Sequence, residues 1–472
     1  MNEAKKLYTR SVNEPSSYFS LTNYEPLTNL YSAARKSKEL NKVSVIRYIF
    51  SDNLVSLSPF TTFFKNVFRI PPGASLYHQD DVFYFKPNID WRYDCSGEIK
   101  AKHFTFQADD ADLLFSGGLD STLLLAFNPS IGDLYHVNYH GRGSRTNKIA
   151  QAVAKAFNRE IIEIDPNFKK FELDTYEQAL ALGTTGLQSP LQFAFNLSLC
   201  EQMQGNGDRL LWSGQNTDTM LYVDHYHAPT QLIMHERVGS VISGLSRRWQ
   251  LWGRFNEGAL IENQKFMSEH VWKQNSRQSE ITTKYASALC EEFRPLELPN
   301  VTGLKKLKLL RWFRGSASVN DNFEVLRKQT GIERLAVLNN PRFLNMAIAF
   351  QPRLQNYLYA KHELVKLLRQ HTGINHRRIV TGAVLSAIDS LAKTRKSRQN
   401  EQAAFSEFNY QIVKELFEKR KRTVSDLVKE VGDSILTEFY ISLSRQKDFT
   451  NSDLKILHRL INLDIFLENA RK

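Results

Sequence analysis

The sequence predicts an α/β protein: a doubly wound parallel sheet, preceded by a small β-containing module and followed by a mostly α-helical region. Three observations predict it. Between residues 112 and 212, short apolar runs alternate with segments of helical periodicity. Upstream, β-rich runs are separated by the turn chemistry of Pro71-Pro72-Gly73. Beyond about residue 255 the strand pattern fades and amphipathic helical patterns take over.

The elements follow in order. In the first module, expected over residues 1–108, the runs at 43–50 and 82–86 read as strands. In the second, expected over 109–255, strands are predicted at 112–115, 134–139, 160–164 and 209–212, with helices at 148–157 and 191–203 between them. Strands alternating with crossover helices give a parallel sheet. In the third, expected over 256–472, helices are predicted at 304–313, 357–370, 405–419 and 452–469. The polar stretch 393–403 (KTRKSRQNEQA) reads as a mobile loop.

Bulk properties narrow the class. A chain of 472 residues exceeds a single hydrophobic core, and its 42% hydrophobic and 24% charged residues are those of a folded, soluble protein. No apolar stretch approaches the roughly 20 residues needed to span a bilayer, so no membrane partner and a cytoplasmic location are expected. The only cysteines, Cys95, Cys200 and Cys290, are far apart and form no metal or disulfide pattern. The net charge of +12 either attracts a polyanion such as RNA or keeps copies of the chain apart.

The chemistry is concentrated in residues 116–121, SGGLDS, placed between an apolar strand and a helix that starts with the hydroxyl residues of STLLLAF. Gly117 and Gly118 let the backbone approach a phosphate without a Cβ in the way, and N–H groups at the helix start point at its oxygens. The hydroxyls of Ser116 and Ser121 can donate to the same oxygens, with Leu119 between them. Asp120, a carboxylate among phosphates, calls for a cation such as Mg²⁺. No lysine stands where a GxxxxGK[ST] loop requires one, which disfavours γ-phosphoryl transfer.

SGGLDS resembles the signature of the ATP pyrophosphatase (PP-loop) superfamily, specifically its asparagine synthetase-like branch. Residues 213–221, SGQNTDTML, resemble that branch's second signature, SGxGxDE. Weaker likenesses lie at 61–76 (TTFFKNVFRIPPGASL) and 361–369 (KHELVKLLR). The resemblance implies an adenine nucleotide α-hydrolase-like fold and ATP and Mg²⁺ as cofactors. It assigns ATP or pyrophosphate contacts to Ser116, Gly117, Gly118, Leu119, Asp120, Ser121, Ser213 and Gly214, and to Val137 and Asn138 on the second strand. Asp120 and Asp218 would hold Mg²⁺, Thr219 standing where the signature has glutamate.

The pattern also breaks. Asn2 follows Met1 where glutamine-dependent members expose a cysteine nucleophile, and the first region is about half the length of a glutaminase domain. A truncated, inactive glutaminase-like module is therefore expected, with nitrogen from ammonia, another subunit or a separate protein, or from a different amine, as in the β-lactam synthetase and lasso-peptide cyclase relatives. Glu333, in GIERLAVLNNPRFLN, is the counterpart of the branch's glutamate before its PFLD stretch. For the lysine that steadies the acyl-adenylate transition state, the candidates are Arg377, Arg378 and Lys393, and Arg378 is the residue chosen.

Other groups have weaker readings. His136 reads equally as a core histidine or a ligand, and Arg142 and Arg145, after the second strand, as phosphate contacts or solvated side chains. Asp224, His225 and His227 lack the spacing of a metal cluster and read as pocket or structural groups. The basic runs 305–314 and 419–422 read as packed amphipathic faces before they read as nucleic-acid contacts.

The expected activity is thus an ATP-dependent, AMP-forming amide ligase acting on a small-molecule or peptide carboxylate. The alternatives are a tRNA-modifying ATP pyrophosphatase and a non-catalytic nucleotide-binding protein. The acyl substrate, the amine and the oligomeric state stay open.

Overall fold

The computed structural model describes residues 5–472 apart from 11–16, 23, 28–29, 38, 51–60, 72, 81, 89–96, 108–110, 140–142, 166, 169–170, 183–188, 204–209, 216, 222–307, 310–311, 313–326, 328–329 and 351–360. Within helix 376–431 the backbone alone is described over 386–405, as it is at Asp218 and Thr219.

The first hundred residues form two small antiparallel sheets and two helices. One sheet has the order β1 (Lys5–Thr9), β5 (Ala74–Gln79), β6 (Val82–Pro87); the other has β3 (Glu25–Leu27), β2 (Ser17–Ser20), β4 (Val67–Ile70). Helices α1 (Leu30–Lys36) and α2 (Lys42–Phe50) lie between β3 and β4 in the chain. The strand expected at 82–86 is β6, whereas the run expected as a strand at 43–50 is helix α2. Its β-branched residues are overruled by tertiary packing, since Val45, Ile46, Tyr48, Ile49 and Phe50 are all buried. Asn41 caps the helix by accepting from the Ser44 N–H at 3.2 Å. The Tyr48 hydroxyl accepts from Asn462 at 2.8 Å, tying α2 to the last helix of the chain.

The centre of the molecule is a five-stranded, wholly parallel sheet in the order β11-β10-β7-β8-β9. Its strands are β7 (Ala111–Leu114), β8 (Leu134–Val137), β9 (Ile162–Ile164), β10 (Leu210–Ser213) and β11 (Arg334–Ala336). Four of them were expected; β11, three residues long, lies in the region expected to be helical. The intervening helices are α3 (Leu119–Phe127), α4 (Arg145–Ala156), α5 (Leu173–Ala181), α6 (Pro190–Met203) and the single turn α7 (Thr217–Leu221). Strand residues alternate between two packed faces. Leu113, Leu134 and Trp212 join Leu123 and Leu124 of α3 and Val153 of α4, while Tyr135, Val137 and Leu211 join Phe195 and Leu199 of α6.

The chain moves outward from β7 to β8 to β9, then returns to add β10 and β11 on the other side of β7. Strand order therefore reverses between β7 and β10, and the loops leaving these two strands part at their C-terminal ends. In open α/β sheets this divergence creates the ligand crevice.

The C-terminal region is helical: α8 (Pro341–Ala349), α9 (His362–Thr372), α10 (His376–Val431), α11 (Ser434–Ser444) and α12 (Asn451–Arg471). The stretch 393–403 expected as a mobile loop lies inside α10. It has neither glycine nor proline and is rich in helix formers, so its polarity fits an exposed helix as well as a loop. The main cores cross the expected module boundaries: α1 and α2 pack with α5, α10, α11 and α12, and β4, β5 and β6 pack beneath the parallel sheet with α8 and α9. Among the described residues no helix is long and apolar enough to cross a membrane.

Candidate functional site

The loop SGGLDS leaves β7 at the point of reversal. Helix α3 begins at Leu119, earlier than the expected start at Ser121, so Asp120 and Ser121 stand in its first turn. Gly118 is the N-cap and provides no side-chain acceptor, so the first-turn N–H groups are left to an external anion by the geometry common to helix starts.

Internal hydrogen bonds shape the loop. Gly118 N–H donates to Ser116 Oγ at 3.2 Å, and the Ser121 and Thr122 hydroxyls donate to the Gly118 carbonyl at 3.1 and 2.8 Å. The Ser116 and Ser121 hydroxyls lie 3.3 Å apart. Gly117 takes φ +68°, and a Cβ there would lie 2.6 Å from Ala150 Cα of α4. Only glycine satisfies both the left-handed backbone and the contact.

Two histidines hold the loop's carbonyls from outside. His136 Nδ1 donates to Phe115 O at 2.9 Å, and His376 Nε2 donates to Gly117 O at the same distance. Burial lowers the pKa of each, the carbonyl bond opposing it; for His376 the Lys361 and Arg377 charges lower it further. Both rings are thus neutral donors at pH 7. The other nitrogen of His136, Nε2, is buried without a hydrogen-bond partner among the described residues.

The second loop approaches closely. A Cβ on Gly214, just past β10, would lie 3.0 Å from Ser121 N and 3.2 Å from Asp120 Cβ. Ser213 pairs with Leu114 across the sheet, and its buried hydroxyl has no partner among the described residues. The backbone of Asp218 lies in α7, four residues beyond Gly214, and its side chain is outside the described residues.

Asp120 itself is claimed by a residue 241 positions away. Lys361 Nζ donates to Asp120 Oδ1 at 3.0 Å and Oδ2 at 2.9 Å, and each side chain is 19% exposed. Lys361 is the N-cap of α9 and takes a left-handed conformation, φ 57° and ψ 35°. His376 is the first residue of α10. The starts of α3, α9 and α10 therefore meet at this loop, and each presents the positive end of its dipole there.

The remaining expected residues divide. Val137 is buried, and the Asn138 side chain is committed internally: Nδ2 donates to Glu163 Oε2 at 3.1 Å and Asp165 Oδ1 at 2.7 Å, while Oδ1 accepts from Asn147 Nδ2 at 2.9 Å. Any nucleotide contact at Asn138 falls to its backbone. Arg378 lies in the first turn of α10, exposed, two residues from the histidine that touches the loop.

Glu333 is not brought to the site. It precedes β11 at the N-terminal edge of the sheet, where its carbonyl accepts from Leu211 N–H, and its side chain is exposed. The residues that leave β11 at the loop edge, Val337, Leu338, Asn339 and Asn340, include no carboxylate. Residues 140–142, 224–227 and most of 305–314, including Arg142, Asp224, His225 and His227, lie outside the described residues. Arg145 is exposed at the start of α4, and Cys200 is a buried free thiol.

The basic runs are used inside the protein where they are described. Lys308 is buried and donates to Ala347 O at 2.7 Å and Phe350 O at 2.5 Å, capping α8. Lys419 and Arg420 pair with Glu177, Asp464 and Glu468.

Sequence reasoning missed the roles of Lys361 and His376, whose partners are 241 and 259 residues away. The local signals were the likeness at 361–369, which begins with Lys361, and the capping Asn375 before His376. Compared with known proteins, the chain matches no protein-family model and no curated sequence.

Proposed function

We propose that the chain is an ATP-dependent, AMP-forming amide ligase on an adenine nucleotide α-hydrolase-like sheet, related in plan to the synthetase half of asparagine synthetase. One observation carries the reading. The SGGLDS turn stands at the strand-order reversal with a carboxylate in the first turn of its helix, and Gly214 of the second signature stands close enough that a Cβ there would press on Asp120 and Ser121. A phosphate chain is the ligand that this combination of bare backbone, hydroxyls and converging helix starts suits best.

In this reading a substrate carboxylate oxygen attacks the α-phosphorus of ATP, the bond to the bridging oxygen breaks, and pyrophosphate leaves. An amine then attacks the acyl carbon, forms the amide and releases AMP. The N–H groups of Gly117, Leu119, Asp120 and Ser121 and the Ser116 hydroxyl would bind the leaving pyrophosphate, joined by the Ser121 hydroxyl once it turns from the Gly118 carbonyl. His136 and His376 would keep the loop carbonyls turned away from it.

Asp120 has the chemistry that a nucleotide-bound Mg²⁺ uses, and the Asp218 side chain lies outside the described residues. Among the described residues there is no group of three or more potential metal ligands, and a nucleotide-bound Mg²⁺ takes only one or two carboxylates beside phosphate oxygens. Asp120 and Asp218 would hold it. The ion would supply charge neutralisation for the departing pyrophosphate.

The test is release of pyrophosphate and AMP from ATP and Mg²⁺ with pools of carboxylic acids, amino acids and short peptides, in ammonia or amine buffers. Release that requires one pool and disappears in Asp120→Ala supports the ligase. No release from any pool removes it.

A further inference from the structure

The Lys361–Asp120 pair has a peculiar position. An ion pair serving only as a strut is placed where nothing competes for either member, yet this one occupies the single carboxylate of the phosphate loop. Both side chains keep one-fifth of their surface in solvent, so each remains open to exchange.

The backbone of Lys361 is fixed by packing. Helix α9 runs alongside α3 in the same direction: Lys361 and Asp120 meet at their starts, and the Phe127 and His371 rings meet at their far ends, tilted by 31° with centroids 4.3 Å apart. Leu364 and Leu368 are fully buried in the same cluster as Leu123, Leu124 and Phe127. The lysine backbone is therefore held at the loop, and the flexible four-carbon stem lets the ammonium choose among acceptors within reach. The starts of α3, α9 and α10 bring three positive dipole ends together, with Asp120 in the α3 first turn and Glu363 in the α9 first turn as acidic groups.

We propose that Lys361 is an exchangeable counter-cation of the phosphate site: it occupies the Asp120 carboxylate until a divalent cation takes that carboxylate, and its ammonium then moves to oxygens of the bound polyphosphate. This rests on the polyphosphate reading of the loop. It gives the site a cation from the start of α9, where sequence reasoning looked to Arg377, Arg378 and Lys393. It also makes lysine and metal rivals for one carboxylate and partners on one phosphate chain.

Rivalry and partnership predict changes of opposite sign, which a structural strut does not. In the full-length protein, Lys361→Met should bind Mn²⁺ alone several-fold more tightly than wild type, read by electron paramagnetic resonance titration. It should bind inorganic pyrophosphate with Mg²⁺ at least tenfold more weakly, read by calorimetry. Lys361→Arg should keep most of the pyrophosphate affinity, and the thermal midpoint should report that each variant is folded. Unchanged or weaker Mn²⁺ binding in folded Lys361→Met, or unchanged pyrophosphate binding, overturns the exchange while leaving the phosphate site standing. A wild-type protein that binds neither pyrophosphate nor ATP overturns both.

Discussion

Gly214 stands so close to the start of α3 that a side chain added to it would press on the Asp120 Cβ at 3.2 Å and on Ser121 N at 3.0 Å. The separation is tight without being impossible, and the loop can yield by a few tenths of an ångström. Gly214→Ala should therefore fold normally but hold Asp120 and the Ser121 N–H off their binding positions. The expected loss in ATP affinity is on the order of tenfold, about 1.4 kcal/mol, measured by calorimetry. Wild-type affinity in this variant would show that the second loop does not shape the first.

Gly117 is the opposite case, where the cost falls on folding. Its φ of +68° penalises any side chain, and the Cβ would stand 2.6 Å from backbone atoms of α4, which cannot rotate aside. A left-handed non-glycine residue costs roughly 1–2 kcal/mol and overpacking about 1–3 kcal/mol more. Gly117→Ala should lower the unfolding free energy by about 2–5 kcal/mol, measured in urea. A loss below about 1 kcal/mol would mean that loop and α4 separate more easily than their packing implies.

These two glycines also show what was readable in the sequence. The turn at 116–121 was legible because a strand, a glycine pair and a helix start are contiguous, and each is a local preference. The four strands β7 to β10 were legible because buried parallel strands are unbroken apolar runs. Strand β11 was not, since three residues carry no period, and Glu333 beside it could not be placed without the sheet register. Helix α2 misled because its β-branched residues favour strands until a partner surface is known. Lys361 and His376 act across more than 240 residues, a pairing that only the packing of α9 and α10 on the loop defines.

Three buried histidines should make the fold labile to mild acid. Burial lowers the pKa of His136 and His376, and pulls His458, which accepts from the Tyr176 hydroxyl, down to about 3 from its ordinary 6.5. Below pH 6.5 the unfolded chain takes up protons that the folded chain refuses, so stability is full above 6.5 and falls as pH is lowered toward the folded values. Each fully unmatched proton contributes about 1.4 kcal/mol per pH unit. The urea midpoint should fall between pH 7 and 5, above the range where most carboxylates titrate, and His458→Gln should reduce the slope by close to one proton. A midpoint that is flat or rises toward pH 5 would contradict the neutral state of these rings.

Arg420 joins three helices through carboxylates that depend on it. From α10 its Nε donates to Asp464 of α12 at 2.7 Å, Nη1 donates to Glu177 of α5 at 2.9 Å, and Nη2 reaches Glu468. The Arg420 and Asp464 side chains are only 10% and 7% exposed. Burial raises the Asp464 carboxyl pKa, with Thr423 and Arg420 pulling the other way. Removing the guanidinium alone strands that carboxylate with one hydroxyl partner, and breaking one side of a buried pair costs about 3–5 kcal/mol. Replacing both members by apolar groups removes the stranded charge as well as the attraction, and such exchanges are often close to neutral. Arg420→Met should therefore destabilise by several kcal/mol in urea, and Arg420→Met with Asp464→Leu should recover most of it. Equal losses in the single and double variants would show that the helices are held by the guanidinium's bonds to Glu177 and Glu468 and not by relief of the Asp464 charge.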